Sequence, residues 1–94
     1  MMDHKTHNYM VKLFKILSNS HRLQVLELLL SSKEPLMVNT IAERLNIEQS
    51  NLSAHLTRMR DNKIVRAKQD GLNMYYEVSD PNVAAILKTV KWHG

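Results

Sequence analysis

The stretch EQSNLSAHLTRMRDNKIVRAKQDG, residues 48–71, sorts its side chains by chemistry. Gln49, Ser50, Asn51, Ser53 and His55 come first, small uncharged groups that donate and accept hydrogen bonds. Arg58, Arg60, Lys63, Arg66 and Lys68 follow. Wound as a helix at about 100° per residue, residues 49–61 gather Leu52, Leu56 and Met59 into one narrow sector that must be buried. Ser50, Ser53, Ala54 and Thr57 project nearly opposite, flanked by Asn51 and Arg58, with His55 on the border of the apolar stripe. Such a face suits the major groove of duplex DNA. Small side chains permit close approach, amides and hydroxyls pair with base edges, and the Ala54 methyl can touch thymine. The helix start also turns free N–H groups and a positive dipole end toward phosphate. Bulky cations there would hold the helix away from the bases, whereas further along they can grip the backbone on either side. The polar start reads bases; the charged remainder supplies affinity.

Each of these residues has a plainer use. Ser, Asn and Gln at a helix start are first of all caps, His55 can be a border histidine without a base contact, and Arg60 and Lys63 can serve solubility alone. Glu48 favours the helix dipole but repels nearby phosphate, which tunes affinity downward.

The charge distribution argues for the polyanion. Residues 1–48 hold six Lys/Arg and five Asp/Glu, residues 49–69 five and one, and residues 70–94 two and three. The whole net charge of +4 therefore matches the excess held by 21 residues, a local basic patch of the kind a nucleic acid requires.

The elements that must position this segment are legible from period and punctuation. Met10, Leu13, Phe14 and Leu17 mark one face of a first helix. Ser18-Asn19-Ser20 breaks it and offers capping oxygens to a second, over about 21–31, that is apolar on most of its circumference and so belongs at the centre. Pro35 ends that run. A short third helix is expected over 39–45, facing Ile41, Ala42 and Leu45 inward, and a tight connection leads to the fourth over 49–61. The two form a helix-turn-helix candidate. The period then changes to two. Ile64–Lys68 and Asn73–Val78 flank Asp70-Gly71, a strong hairpin signal. With Asp70 and Gly71 as the turn, Lys68 lies opposite Asn73, Ala67 opposite Met74, and Arg66 opposite Tyr75, where Tyr75 can simply pack on Arg66. Val65, Ala67, Met74 and Tyr76 then cover the core, leaving Arg66, Lys68, Asn73 and Tyr75 for solvent or a partner. Asp80 caps a last helix with Pro81 at its first position and a stripe of Val83, Ile86, Leu87 and Val90. The expected fold is mainly α with a β-hairpin wing, a winged helix-turn-helix of five helices in the order ααααββα, forming a single DNA-binding domain over 1–94. Apolar stripes on both terminal helices, about 8–18 and 80–92, suggest a dimer interface, their plainer use being the intramolecular core.

Composition excludes much else. With no cysteine there is no disulfide, thiolate metal site or thiol catalysis. No apolar run approaches the ~20 residues that span a bilayer, and the polar start MMDHKTHNYM carries no signal peptide, so a cytoplasmic protein without membrane contact is expected. There is no nucleophile elbow, phosphate loop or zinc-hydrolase motif, which leaves no enzyme reading. The competing class is a winged-helix protein–protein interaction module without DNA binding, since fold does not fix function.

Together these segments resemble the ArsR/SmtB family of bacterial winged helix-turn-helix repressors across about residues 10–90. "LFKILSNSHRLQVLELLL", centred on His21-Arg22-Leu23, resembles the family's opening stretch, "IAERLNIEQSNLSAHLTRMRDNKIV" its reading-head helices, and "RAKQDGLNMYYEVSD" its wing. The resemblance implies a homodimer built on the first and last helices that binds an imperfect inverted repeat in a double-stranded DNA operator. It puts Gln49, Ser50, Asn51, Ser53 and His55 at the DNA-facing positions. It also implies metal sensing, from which this sequence departs. Met37-Val38-Asn39 stands where one family site has Cys-x-Cys. Asp80-Pro81-Asn82 stands where the other has Asp-x-His, with His93 near one further expected ligand. A two-ligand remnant falls short of the about four good donors that zinc needs. No metal and no cofactor are expected, as in the family's cysteine-free, metal-independent, PagR-type members, and His4 and His7 are expected in a frayed terminus rather than at a metal.

Overall fold

The structure, a computed structural model, describes residues 2–90 of the chain. Three helices begin at side-chain caps. Asp3 opens α1 (His4–Leu17) by accepting from the Thr6 N–H at 2.7 Å. Asn19 opens α2 (Ser20–Ser31) by accepting from the Arg22 N–H at 3.0 Å. Asp80 opens α5 (Pro81–Thr89) through the Asn82 N–H at 2.8 Å, with Pro81 in the first turn. Each cap satisfies an N–H that would otherwise lack a partner. Because α1 starts at His4, both His4 and His7 lie within its first turns, not in a frayed terminus.

Between α2 and the reading head sits a short strand, β1 (Leu36–Met37), which the sequence reading missed. It passes directly into α3 (Val38–Leu45), and Asn46 ends α3 in the left-handed region at φ 54 and ψ 47. Asn tolerates that conformation because its side chain bonds locally. The chain then turns through buried Ile47 into α4 (Gln49–Asp61), which keeps the expected boundaries.

The exit from α4 aims the wing. Lys63 adopts φ 61, its N–H donates to the Arg60 carbonyl at 2.9 Å, and the Ile64 N–H donates to the Met59 carbonyl at 2.8 Å. This is a Schellman ending, with buried Ile64 and Met59 supplying the apolar contact that accompanies it.

The sheet has the order β1-β3-β2, with β2 (Val65–Asp70) and β3 (Asn73–Val78) antiparallel and β1 antiparallel to β3 through Leu36↔Tyr76 and Met37↔Tyr75. Its register corrects the sequence reading. The turn is Gly71-Leu72, not Asp70-Gly71, so Lys68 faces Tyr75, Arg66 faces Glu77 and Ala67 faces Tyr76. Gly71 at φ +65 takes the first central position, as in a type II′ turn, and Leu72 is fully exposed at the tip. The slip is two residues, which leaves every side chain on its predicted face and changes only its neighbour. Met74, expected over the core, lies too near the tip and is exposed.

Val25, Leu26, Ile41, Leu52, Leu56, Met59, Ile64, Val65 and Val83 form the centre of one cluster, each almost fully buried. The α1 stripe is corrected as well. Leu13, Ile16 and Leu17 face this cluster, while Phe14 remains 49% and Val11 41% exposed. On α5 Val83 is buried and Ile86 and Leu87 pack against the cluster, but Val90, expected in the same stripe, is 62% exposed. No described helix is long and apolar enough to cross a membrane.

Candidate nucleic-acid interface

The buried stripe of α4 decides what its other side presents. With Leu52, Leu56 and Met59 each no more than about 1% exposed, Gln49, Ser50, Asn51, Ser53, Ala54, Arg58 and Arg60 all stand at the surface. Glu48 holds the N-cap position without a side-chain cap; instead the Ser50 hydroxyl donates to its carboxylate at 2.6 Å. The first N–H groups of α4 are therefore without the side-chain acceptor that α1, α2 and α5 have.

Lys63 is exposed at the turn out of α4, and Arg60, Lys63 and Arg66 line one shallow depression together with Ser79, whose hydroxyl donates to the Lys63 carbonyl at 2.9 Å. Arg66, Lys68 and Asn73 are exposed on the outer face of the wing, while Tyr75 is half-buried between Lys68 on one side and Met37 of β1 on the other. Tyr75 thus sits mid-sheet, opposite Lys68 and not opposite Arg66.

The register creates a group that sequence reasoning missed. Glu77 lies across from Arg66, and its Oε2 receives Arg66 Nε at 2.6 Å and Lys68 Nζ at 2.9 Å. Lys68, then Arg66, holds the Glu77 carboxyl below the usual carboxylate range. Both wing cations are thus paired with one carboxylate. The only signal in the sequence was the two-residue ambiguity of the turn.

His55 is half-buried at the edge of the stripe, as its helical position implies. Its Nδ1 accepts from Arg22 Nε at 3.1 Å, and its ring meets His21 edge-on at 5.8 Å. Burial, then the charges of Arg22 and His21, push its pKa below the ordinary 6.5. A base with a depressed native pKa stabilises the fold above its unfolded pKa, and that contribution is lost as pH falls toward the native value. Thermal unfolding followed by circular dichroism is expected to lose stability from about pH 6.5 downward, and His55→Asn is expected to flatten that slope. Glu77 and Asp3, whose pKa values are also lowered, act in a separate window below the carboxylate values of 4.5 and 3.8. An unchanged slope in the variant refutes the assignment to His55.

Asp80, the one carboxylate considered for a metal, is engaged within the protein. Asp80 Oδ1 accepts from the Asn82 N–H, and its Oδ2 accepts from the Tyr9 hydroxyl at 2.5 Å, so both oxygens already serve the junction of α1 and α5. The Asn82 amide also donates to the Tyr9 oxygen at 3.2 Å. His93 lies outside the described residues.

A helix-turn-helix domain family matches residues 17–67. Over 92 residues the chain is 34% identical to the transcriptional repressor PagR of Bacillus anthracis, covering 93% of this chain and 90% of that protein. The PagR crystal structure superposes with a TM-score of 0.86 over 95% of this chain and 100% of that one, at 27% identity. The transcriptional activator HlyU of Vibrio cholerae is 33% identical over 83% of this chain and 70% of its own length. Its structure gives a TM-score of 0.84 at 31% identity over 94% of both chains. Mb0332 of Mycobacterium bovis, described as a homodimeric winged helix-turn-helix DNA-binding domain and a possible ArsR-family transcriptional regulator, superposes at a TM-score of 0.80 and 27% identity, over 96% of this chain and 83% of that one.

Proposed function

The chain belongs to the ArsR/SmtB family of winged helix-turn-helix transcriptional regulators, and from that premise we propose that it is a homodimeric repressor that binds an imperfect inverted repeat in double-stranded DNA. The observation that carries this is the division of α4: its apolar stripe is buried, and its small polar groups and cations are exposed on the remaining surface. In this role Gln49, Ser50, Asn51, Ser53, Ala54 and His55 meet base edges, and Arg58, Arg60, Lys63, Arg66, Lys68, Asn73 and Tyr75 hold the backbone and the flanking groove.

A dimer follows from what α1 leaves uncovered. His7, Met10, Val11, Phe14 and Ser18 line an open groove of about 540 Å³ along α1, an apolar face that a second copy can bury. The reading helices of the two copies are expected about 34 Å apart, one turn of DNA. The proposed role invokes no metal or thiol switch: Met37-Val38-Asn39 supplies no thiolate, and the Asp80 oxygens already accept hydrogen bonds.

Selection of bound genomic fragments by the purified protein, with and without EDTA, tests the proposal. One preferred sequence class is expected under both conditions, with the logarithm of affinity falling linearly in the logarithm of salt concentration. Gln49→Ala and Ser53→Ala are each expected to narrow the preference for that sequence over random DNA by about tenfold. Absence of any salt-dependent affinity for duplex DNA would instead favour a protein partner.

A further inference from the structure

Arg22 lies 33 residues from His55 in sequence, on α2, and none of the roles above uses it. Its backbone N–H is fixed by the Asn19 cap at 3.0 Å, and its Nη1 donates to the Ile16 carbonyl at 3.2 Å, so the residue is anchored at its backbone and at one guanidinium nitrogen before it reaches α4. Its Nε then donates to His55 Nδ1 at 3.1 Å. We infer that Arg22 is a positioning residue for the reading helix: its bond to Nδ1 locks the His55 imidazole as the Nε2–H tautomer, so that His55 meets DNA as a donor and not as an acceptor.

The chemistry is one-directional. A guanidinium carries only donors and stays protonated in proteins. Nδ1 must therefore offer its lone pair, and the single proton of the neutral ring goes to Nε2. The groups acting on His55 are His21 and Arg22 of α2, and Arg58 of α4 acts in turn on Arg22; no carboxylate is among them. A second proton on the ring would meet only these groups, in keeping with the lowered pKa. The His21 ring, at 83° to that of His55, limits rotation. Nε2 has no hydrogen-bond partner among the described residues, and no buried side-chain nitrogen or oxygen there lacks one, so Nε2 reaches solvent. Its complement is a hydrogen-bond acceptor: a purine N7, guanine O6, thymine O4 or a phosphate oxygen.

The DNA half of this inference rests on the proposed function; the tautomer half does not, and two readouts keep them apart. Long-range 1H–15N spectra of the full chain without DNA are expected to show an unprotonated Nδ1 and a protonated Nε2 at pH 7.5. Arg22→Ala is expected to leave a mixed tautomer, and Arg22→Lys, which restores a donor, to recover the single form. A protonated Nδ1 in the unsubstituted chain overturns the inference, whether or not the Arg22 variants fold. His55→Asn keeps an acceptor near the Nδ1 position but removes the Nε2 donor, and its affinity for the selected fragment is expected to fall about tenfold. A fall equal on all sequences identifies a phosphate acceptor; one confined to the selected fragment identifies a base edge. Undiminished binding by His55→Asn refutes the donor role. If the unsubstituted chain bound no duplex at all, the proposed function and the donor role would both fall, and the spectra would still decide the Arg22 bond.

Discussion

Phe14→Lys is expected to turn the protein into a folded monomer and to weaken operator binding by a hundredfold or more. Phe14 is half exposed on α1, in the groove with Val11 and Met10, so the substitution removes nothing from the intramolecular core. In a dimer built on this face the same position becomes buried, where an unpaired ammonium is costly. Lys15 lines the groove too, so the new cation meets like charge. Loss of the dimer separates two reading helices that otherwise act as linked modules, and linkage of that kind contributes about 10²–10⁴ in affinity. Light scattering at micromolar concentration and an operator titration read the two effects, with circular dichroism checking the fold. A persistent dimer would show that the two copies meet through another face.

The second large effect belongs to the wing. Arg66→Ala combined with Lys68→Ala is expected to lower the salt slope by about two units, one for each phosphate no longer neutralised, and to weaken binding to all sequences by about fiftyfold at 0.1 M salt. The Glu77 carboxylate adds a test in the opposite direction. Phosphate has to displace it from both cations, and exposed pairs of this kind are weak, about 0.2–1 kcal/mol each. Glu77→Gln is therefore expected to raise affinity by about fivefold while leaving sequence preference alone. Because these pairs are exposed, the variant's thermal midpoint is expected to change little. Anisotropy titrations across a salt series check all three variants; a flat response to the double substitution means the wing does not touch the backbone.

Period alone made much of the molecule legible. The stripe Leu52, Leu56 and Met59 predicted α4 and, by exclusion, the polar and basic residues that α4 exposes. Alternation in the hairpin predicted which side Arg66 and Lys68 face, and a register slip of two cannot change that. The slip itself was not legible, because Asp-Gly is the stronger local turn signal, while the chain uses Gly71-Leu72 and pairs Asp70 with Asn73. Strand β1 has two residues, too few to show any period. The Schellman turn that follows α4 and aims the wing was hidden for a related reason: Lys63 takes the left-handed position where glycine is the usual signal.

What the sequence determined by itself is the inventory and its order: the elements, the buried face of α4, the strand faces, the caps of α2 and α5, and a charge excess confined to 49–69. These depend on neighbours a few residues apart, whose relations are set by helix and strand geometry. Tertiary structure decided which of two apolar faces of α1 is buried, since Phe14 and Leu13 are both large and hydrophobic and only packing against α2 distinguishes them. It also brought Arg22 to His55, Glu77 to the wing cations and Tyr9 to Asp80. Those pairs join residues 9 to 71 positions apart, and no local period encodes a distance that exists only once the chain has closed on itself.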